Sequence, residues 1–356
     1  MIDGNVKLHI KNAIKKTAFG RMLRDKYHKY QMSKSYNIDA AKKTAIKYLG
    51  DKVSSYDLDK IAVDMMDEQK KYNMSFGEYF MFHFYDRTAE ERREYVSNME
   101  RVSFCERMNS MKNMTLFDDK GATYQKFYKY YKRDLIEVFG REYEEFALFT
   151  KKHPKFIVKP FDGACGIGIR IVDTKDRDIK QLFNELKNEY KNGYVAEELI
   201  IQSQEIGQFH PSSVNTVRVP TILYKDRVDI IHPFFRIGMG GSVVDNGGSG
   251  GMINELDPDT GEVLVSADQM GNYYTKHPDT GIPIIGFRIP RWDEAKVLAK
   301  ELAMVVPDNH YCGWDLVLTD YGWVLQEAND RGGFKGFQLQ KGFRKELMDI
   351  LKELGV

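Results

Sequence analysis

The chain has 356 residues, of which 42% are apolar, and a formal net charge of +1. This composition is typical of a globular protein of two or three packed units, and it excludes a disordered, fibrous or strongly basic nucleic-acid-binding chain. No stretch approaches the roughly 18 apolar residues of a membrane span, and the N-terminus lacks the apolar core of a signal peptide, so we expect a cytoplasmic protein. Cys105, Cys165 and Cys312 lie far apart without CxxC spacing, which predicts reduced thiols.

Basic residues are concentrated at the N-terminus. The first 50 residues contain twelve Lys and Arg against three Asp. Basic helices in this part of the chain could lie on an anionic membrane surface or face an acidic partner. The alternative interpretation is a solvated helix surface.

Residues 5 to 112 have the pattern of consecutive helices. They contain no proline, and their apolar residues recur three and four positions apart. Thr88, followed by Glu91 three residues later, predicts a helix start closed by a capping box. We therefore predict a helical N-terminal region over residues 1–112.

A glycine-rich loop follows the first strand pattern of the second half. A helical stretch over residues 116–131 carries Lys120, and the strand 155–160 ends beside Lys159. The loop at 162–168 has G-x-x-G-x-G spacing, and a β-branched strand follows it where a dinucleotide-binding loop would begin a helix. We therefore predict a hairpin flap whose backbone N–H groups, together with Lys159, contact a polyphosphate. The alternative is an ordinary turn. The loop glycines concerned are Gly163, Gly166 and Gly168.

Paired acids end the next predicted strand. Glu197 and Glu198 close the apolar run that begins at Tyr194, and Leu199 resumes it. The backbone of such a strand can pair with adenine, and an adjacent carboxylate can accept a hydrogen bond from its amine. Glu205 is then placed to accept from the ribose hydroxyls. The alternative is a strand that emerges into solvent.

The strongest local pattern lies between residues 313 and 329. Two apolar strands flank an Asp-Tyr-Gly turn, which predicts a β-hairpin. Asp315 and Glu327 are expected to face each other across it, and Asn329 to project from the same face as Glu327. Three oxygen ligands of this kind suit Mg²⁺. The alternative, an outward polar face, conflicts with the flanking tryptophans, which indicate a buried setting.

Taken in order, these motifs resemble the ATP-grasp superfamily, and more closely its sugar-transfer-associated branch, which is related to alpha-L-glutamate ligases. The resemblance runs from about residue 113 to the C-terminus. It rests on segments at 119–120, 156–168, 197–200, 213–218, 245–251, 277–281 and 315–329.

The resemblance implies an α+β fold in which two lobes grip ATP, preceded by the helical region. The implied domains are 1–112, a lobe with the glycine-rich lid over 113–198, and a lobe with the metal site over 199–356. Lys120 and Lys159 would contact the phosphates, residues 197–199 the adenine, and the 315–329 hairpin one or two magnesium ions.

The sequence departs from D-alanine:D-alanine ligases at Gly313, where those enzymes have an arginine. If a guanidinium is needed near the transferring phosphate, Arg218, Arg236 or Arg331 must supply it. Lys276, with the segment around Asn246, is expected to approach the γ-phosphate from the second lobe.

The resemblance implies an ATP-dependent carboxylate–amine ligase that acts through an acyl phosphate in the biosynthesis of a surface polysaccharide or sugar conjugate. Its partners would be a small or sugar-linked carboxylate and an amine, with no nucleic acid. The alternatives are an ATP-grasp kinase that phosphorylates a hydroxyl and a non-catalytic nucleotide-binding module of a glycan-assembly complex.

Overall fold

The computed structural model describes residues 36–161, 168–241 and 250–356. The chain forms two compact units, Met1–Asp86 and Arg87–Val356. The loop glycines Gly163 and Gly166 and the segment around Asn246 lie outside the described residues. The domain limits expected from the sequence divide the chain differently, and they stay a prediction.

The described part of the first unit is helical, as the sequence pattern predicted. Its helices are α1 (Ile38–Leu49), α2 (Leu58–Tyr72) and α3 (Phe76–Met81); a short 3₁₀ turn at Gly50–Ser55 joins α1 to α2, and another at Phe84–Asp86 follows α3. Asn37, Asp57 and Ser75 accept hydrogen bonds from the first-turn N–H groups, so a polar side chain fixes the start of each α-helix. Aromatic residues such as Tyr79 and Phe80 fill its core.

The second unit opens with four helices: α4 (Ala89–Arg93), α5 (Asn98–Met108), α6 (Met111–Phe117) and α7 (Lys120–Tyr131). Thr88 and Glu91 form the predicted capping box of α4. The single helical stretch expected over 116–131 is wrong, because Asp119 accepts from the N–H of Ala122 and starts a new helix. Lys120 is therefore the first residue of α7.

Asn109, just after α5, joins these helices to the large sheet described below. Its side-chain nitrogen donates to the carbonyl oxygens of Tyr311 at 2.8 Å and Asp330 at 2.6 Å. Its side-chain oxygen accepts from the N–H of Tyr311 at 2.8 Å. One buried amide thus satisfies three backbone groups.

A four-stranded antiparallel sheet forms the small lobe. Its strands are β1 (Leu135–Val138), β2 (Lys155–Pro160), β3 (Arg170–Asp173) and β4 (Tyr194–Glu198), in the order β1-β4-β2-β3. Helices α8 (Tyr143–Lys152) and α9 (Ile179–Glu189) pack on one face around Phe146, Phe156 and Leu182. Because side chains alternate along a strand, Lys159 and Glu197 project from the other face.

A seven-stranded antiparallel sheet forms the large lobe, in the order β11-β10-β5-β7-β8-β9, with β6 paired to β5. A one-turn helix, α10 (Gln204–Gly207), precedes it, and α11 (Trp292–Val305) packs on the sheet face that includes Trp314 and Leu316. The chain ends in α12 (Arg344–Leu354). The strands are β5 (Thr216–Leu223), β6 (Val228–Ile230), β7 (Phe234–Ile237), β8 (Met252–Leu256), β9 (Val263–Ala267), β10 (Tyr311–Thr319) and β11 (Gly322–Asn329).

The opposite face of the large sheet carries the charged residues of interest. One row of paired residues crosses five strands, running Glu255, Phe234, Arg218, Asp315 and Glu327. Neighbours in such a row have Cβ atoms roughly 4.5–5.5 Å apart. The sheet therefore places the carboxylates of β10 and β11 beside an arginine of β5.

Candidate active site

The β10–β11 hairpin brings the three predicted metal ligands together. Asp315 pairs with Glu327, and Gly313 pairs with Asn329. The Asn329 amide nitrogen lies 3.4 Å from Asp315 Oδ2. The predicted hairpin is confirmed, and its three oxygen-bearing side chains share one face.

A β-bulge sets this arrangement. If pairing continued without interruption from the closing pair Thr319–Gly322, Gln326 would lie opposite Asp315. The ladder shifts by one residue beside Asp315, so that Glu327 takes that place. A bulge of this kind inserts one unpaired residue into one strand.

Two arginines hold Asp315, which is fully buried. Arg218 on β5 donates from Nε to Oδ1 at 2.5 Å and from Nη2 to Oδ2 at 2.6 Å. Arg236 on β7 donates from Nη2 to Oδ2 at 2.9 Å, and from Nε to Thr216 Oγ1 at 2.8 Å. Burial alone would raise the pKa of Asp315, but the two guanidinium groups outweigh it and hold the pKa below its ordinary value.

The donor set fits a hard divalent cation such as Mg²⁺. Both carboxylates and the Asn329 amide offer oxygen ligands on one face, and Glu327 is exposed. Asn329 uses its amide nitrogen toward Asp315, which leaves its carbonyl oxygen for a cation. Asp315 already balances two guanidinium charges, so Glu327 and Asn329 are the more accessible ligands.

Arg331 and Lys276 were also predicted to approach the phosphates. Arg331 pairs with Asp118 and with Asp330, rather than with Asp315. Lys276 is exposed, next to the buried His277. Of the three candidate arginines, the structure brings Arg218 and Arg236 to the hairpin.

On the small lobe, Lys159 and Glu197 form a buried ion pair. Lys159 Nζ lies 2.6 Å from Glu197 Oε2, and Arg133 Nε donates to Glu197 Oε1 at 2.6 Å. Burial would raise the pKa of Glu197, but Arg133 and Lys159 outweigh it and hold the pKa below its ordinary value. The carboxylate is therefore ionised between two cations.

Lys120 also reaches the end of β2. Its Nζ lies 3.4 Å from the carbonyl oxygen of Pro160, where the glycine-rich segment begins. At the far end of that segment, Gly168 has φ of +77°, and its carbonyl accepts from the Tyr190 hydroxyl at 2.9 Å. Both predicted phosphate lysines thus lie at the end of β2.

A family model, the sugar-transfer associated ATP-grasp family, matches residues 99–352. The chain belongs to this family. The match includes both sheets and every site residue described above.

Solved structures similar to this ATP-grasp protein share little sequence with it. The ATP-grasp ligase PsnB, complexed with a minimal precursor, Mg and ADP, is 14% identical with a TM-score of 0.43, covering 70% of this chain and 62% of that one. D-alanine–D-alanine ligase from Bacillus anthracis is 14% identical with a TM-score of 0.41 and 69% coverage of each chain. N5-carboxyaminoimidazole synthetase from Staphylococcus aureus, complexed with ADP, is 13% identical with a TM-score of 0.42, covering 68% of this chain and 53% of that one.

This chain therefore spans less than two thirds of the length of PsnB and about half that of the synthetase. A search among curated proteins finds no match. Within the part of the chain that the structure describes, no helix has the length and apolar character needed to cross a membrane.

The structure separates the predicted adenine-binding residues of this ATP-grasp protein. Glu198 projects to the face opposite Glu197, where its Oε2 accepts from the N–H of Asp134 at 3.0 Å. Leu199 is half-buried just after β4, and Glu205 is exposed on α10, where it contacts Ser203. Of Glu197 and Glu198, only Glu197 thus shares a face with Lys159.

Arg133 was not among the predicted site residues. It lies between the aromatic end of α7 and the start of β1, in no motif, and its side chain is 2% exposed. A buried arginine usually has a specific charged partner, but the sequence does not say which one. The pairing with Glu197, far away along the chain, becomes visible only in the fold.

Proposed function

We propose that this ATP-grasp protein is an ATP- and magnesium-dependent carboxylate–amine ligase that acts through an acyl phosphate. The observation that supports the proposal most is the convergence of Asp315, Glu327 and Asn329 beside Arg218 and Arg236. Such a site needs no protein nucleophile, because positioning and charge neutralisation supply most of the catalysis of phosphoryl transfer.

In the proposed reaction a substrate carboxylate oxygen attacks the γ-phosphorus, and the bond to ADP breaks. The amine nitrogen then attacks the acyl carbon, phosphate leaves, and the amine loses a proton. Glu327, Asn329 and Asp315 would hold magnesium, which neutralises phosphate charge. Arg218 and Arg236 would stabilise the transferring group, and Lys120 and Lys159 would orient the remaining phosphates.

We further propose that the carboxylate or the amine belongs to a sugar building block of a surface polysaccharide or sugar conjugate. This part of the proposal is supported by the family description alone. The basic N-terminal segment is proposed to contact a membrane surface or a glycan-assembly partner.

Nucleotide binding is the first test. ATP and MgCl₂ together are expected to raise the thermal midpoint, because a ligand at 100 times its Kd stabilises the folded state by about 2.7 kcal/mol. ATP without magnesium should give a smaller shift. Glu327→Gln should lose turnover but keep its fold, whereas the control Glu353→Gln, at a surface pair with Arg227, should behave like the wild type. An unchanged midpoint with millimolar MgATP would contradict the proposal.

A product assay identifies the reaction. Purified protein is incubated with MgATP and pairs of sugar acids and amines, and free phosphate and ADP are measured. A ligase releases free phosphate only when both partners are present. A kinase retains the phosphate on a hydroxyl product, and that result would replace the ligase proposal. Binding without turnover of any pair would favour the non-catalytic module.

A further inference from the structure

Arg133 touches both lobes beside the candidate site. Its Nε donates to Glu197 Oε1 at 2.6 Å on the small lobe. On the large lobe, Nη1 donates to the carbonyl oxygen of Leu325 at 2.6 Å, and Nη2 donates to that of Gln326 at 3.3 Å. A single buried guanidinium therefore joins the Lys159–Glu197 pair to strand β11.

Those two carbonyls lie at the β-bulge, one on the residue just before it and one on the bulged residue itself. Leu325 pairs with Leu316, and Glu327 pairs with Asp315, so Gln326 has no counterpart in β10. A bulge disrupts the ladder locally, and buried carbonyl groups need another donor there. Arg133 supplies donors to both, because its planar fork carries five N–H groups.

The bulge decides which way Glu327 points. Without the extra residue, Glu327 would pair with Trp314, whose side chain is fully buried in the core on the opposite face. Gln326 would then face Asp315, because a slip of one residue exchanges the two faces of a strand. The contacts of Arg133 thus stabilise the register that puts a carboxylate beside Asp315.

We propose that Arg133 is a positioning residue for two parts of the site at once, the metal-binding carboxylate Glu327 and the Lys159–Glu197 pair. This inference rests on the proposed function. Arg133 does not contact substrate in this proposal. It holds the carbonyls of Leu325 and Gln326 with one edge of its guanidinium and the carboxylate of Glu197 with another.

The test measures ADP binding by calorimetry over a series of magnesium concentrations. Arg133→Lys keeps a charge near Glu197 but cannot reach both bulge carbonyls, so it should raise the magnesium concentration for half-maximal binding. Residues that orient metal ligands typically change metal affinity by roughly 10–100-fold, which sets the expected size. The affinity of this variant for ADP at saturating magnesium should stay close to that of the wild type. Arg133→Met should weaken both the apparent affinity for magnesium and the ADP affinity at saturating magnesium, because Glu197 also loses its cationic partner.

A double-mutant cycle separates positioning from general stability. In a Glu327→Gln background, Arg133→Lys should change the magnesium dependence little, because its effect passes through Glu327. Arg344→Lys is the matched control, since Arg344 likewise donates to a carboxylate, Glu100, and to the carbonyls of Arg93 and Tyr95. This control should show wild-type magnesium dependence.

The outcomes distinguish this inference from the proposed function. A wild-type chain that binds no nucleotide at any magnesium concentration overturns both. Wild-type binding with unchanged magnesium dependence in Arg133→Lys, or additive effects in the cycle, overturns the role of Arg133 alone. If Arg133→Lys does not fold, as judged by its thermal midpoint, Arg133 is a structural residue and the proposal fails.

Discussion

Replacing Arg218 by methionine tests the electrostatics of the site most directly. Asp315 is fully buried, and Arg218 supplies two of its charged contacts at 2.5 and 2.6 Å. Removing one partner of a buried ion pair costs roughly 3–5 kcal/mol, because the remaining charge stays desolvated. Arg236 supplies one contact at 2.9 Å, and a hydrogen bond to a charged group contributes about 1.5–3 kcal/mol. Arg218→Met should therefore destabilise the protein more than Arg236→Met.

The assay is urea denaturation of both variants at pH 7, followed by fluorescence and circular dichroism. The pH dependence gives a second check. The lowered pKa of Asp315 means that its ion pairs contribute stability above the ordinary aspartate pKa of about 3.9, and that this contribution is lost as pH falls through the lower folded value. In Arg218→Met the pKa of Asp315 should rise, so the stability difference from wild type should shrink on acidification.

A double variant adds a control for this argument. Arg218→Met combined with Asp315→Asn removes both members of the pair, so it should be more stable than Arg218→Met alone. Equal unfolding midpoints for wild type and Arg218→Met, or a larger effect of Arg236→Met, would refute the assignment of Arg218 as the principal partner of Asp315.

Three further perturbations probe the surroundings of the site. Asn109→Ala should lower the free energy of unfolding by about 2–4 kcal/mol, measured by urea denaturation, because three backbone groups lose their buried partner. Gly121→Ala places a methyl group against the end of the Glu137 side chain, so Glu137 should move aside, and because alanine favours the helix by roughly 1 kcal/mol over glycine the thermal midpoint should change little, whereas Gly121→Ala with Glu137→Ala should melt at a higher temperature than Gly121→Ala alone. Glu197→Gln should lower the free energy of unfolding by roughly 3–5 kcal/mol at pH 7. This loss should shrink as pH falls below about 4.3 toward the lowered pKa of Glu197. A series of thermal melts from pH 7 to pH 3 would measure it.

The sequence was sufficient where a local pattern decides the structure. The capping box at Thr88, the strand 155–160 and the tryptophan-flanked hairpin all depend on neighbouring residues, and the fold contains each of them. The helix break at Asp119 was missed, although aspartate is among the residues preferred at the start of a helix.

Long-range pairing could not be predicted in the same way. No local pattern distinguishes Arg218 and Arg236, which reach Asp315, from Arg331, which pairs with Asp118. Glu197 and Glu198 project from opposite faces of the sheet because side chains alternate along a strand, but the sequence does not say which face is covered by helices.

The extra residue in β11 also determines where this hairpin can change length. Its tip, Asp320–Tyr321, is exposed, and insertions at such a tip leave the faces of the strand residues unchanged. One residue gained or lost between Trp323 and Glu327 would instead replace the acidic side chain of Glu327 by that of a neighbouring residue at the proposed metal site. Among chains descended from a common ancestor with this one, we expect variable turns but a constant spacing from Trp323 to Glu327.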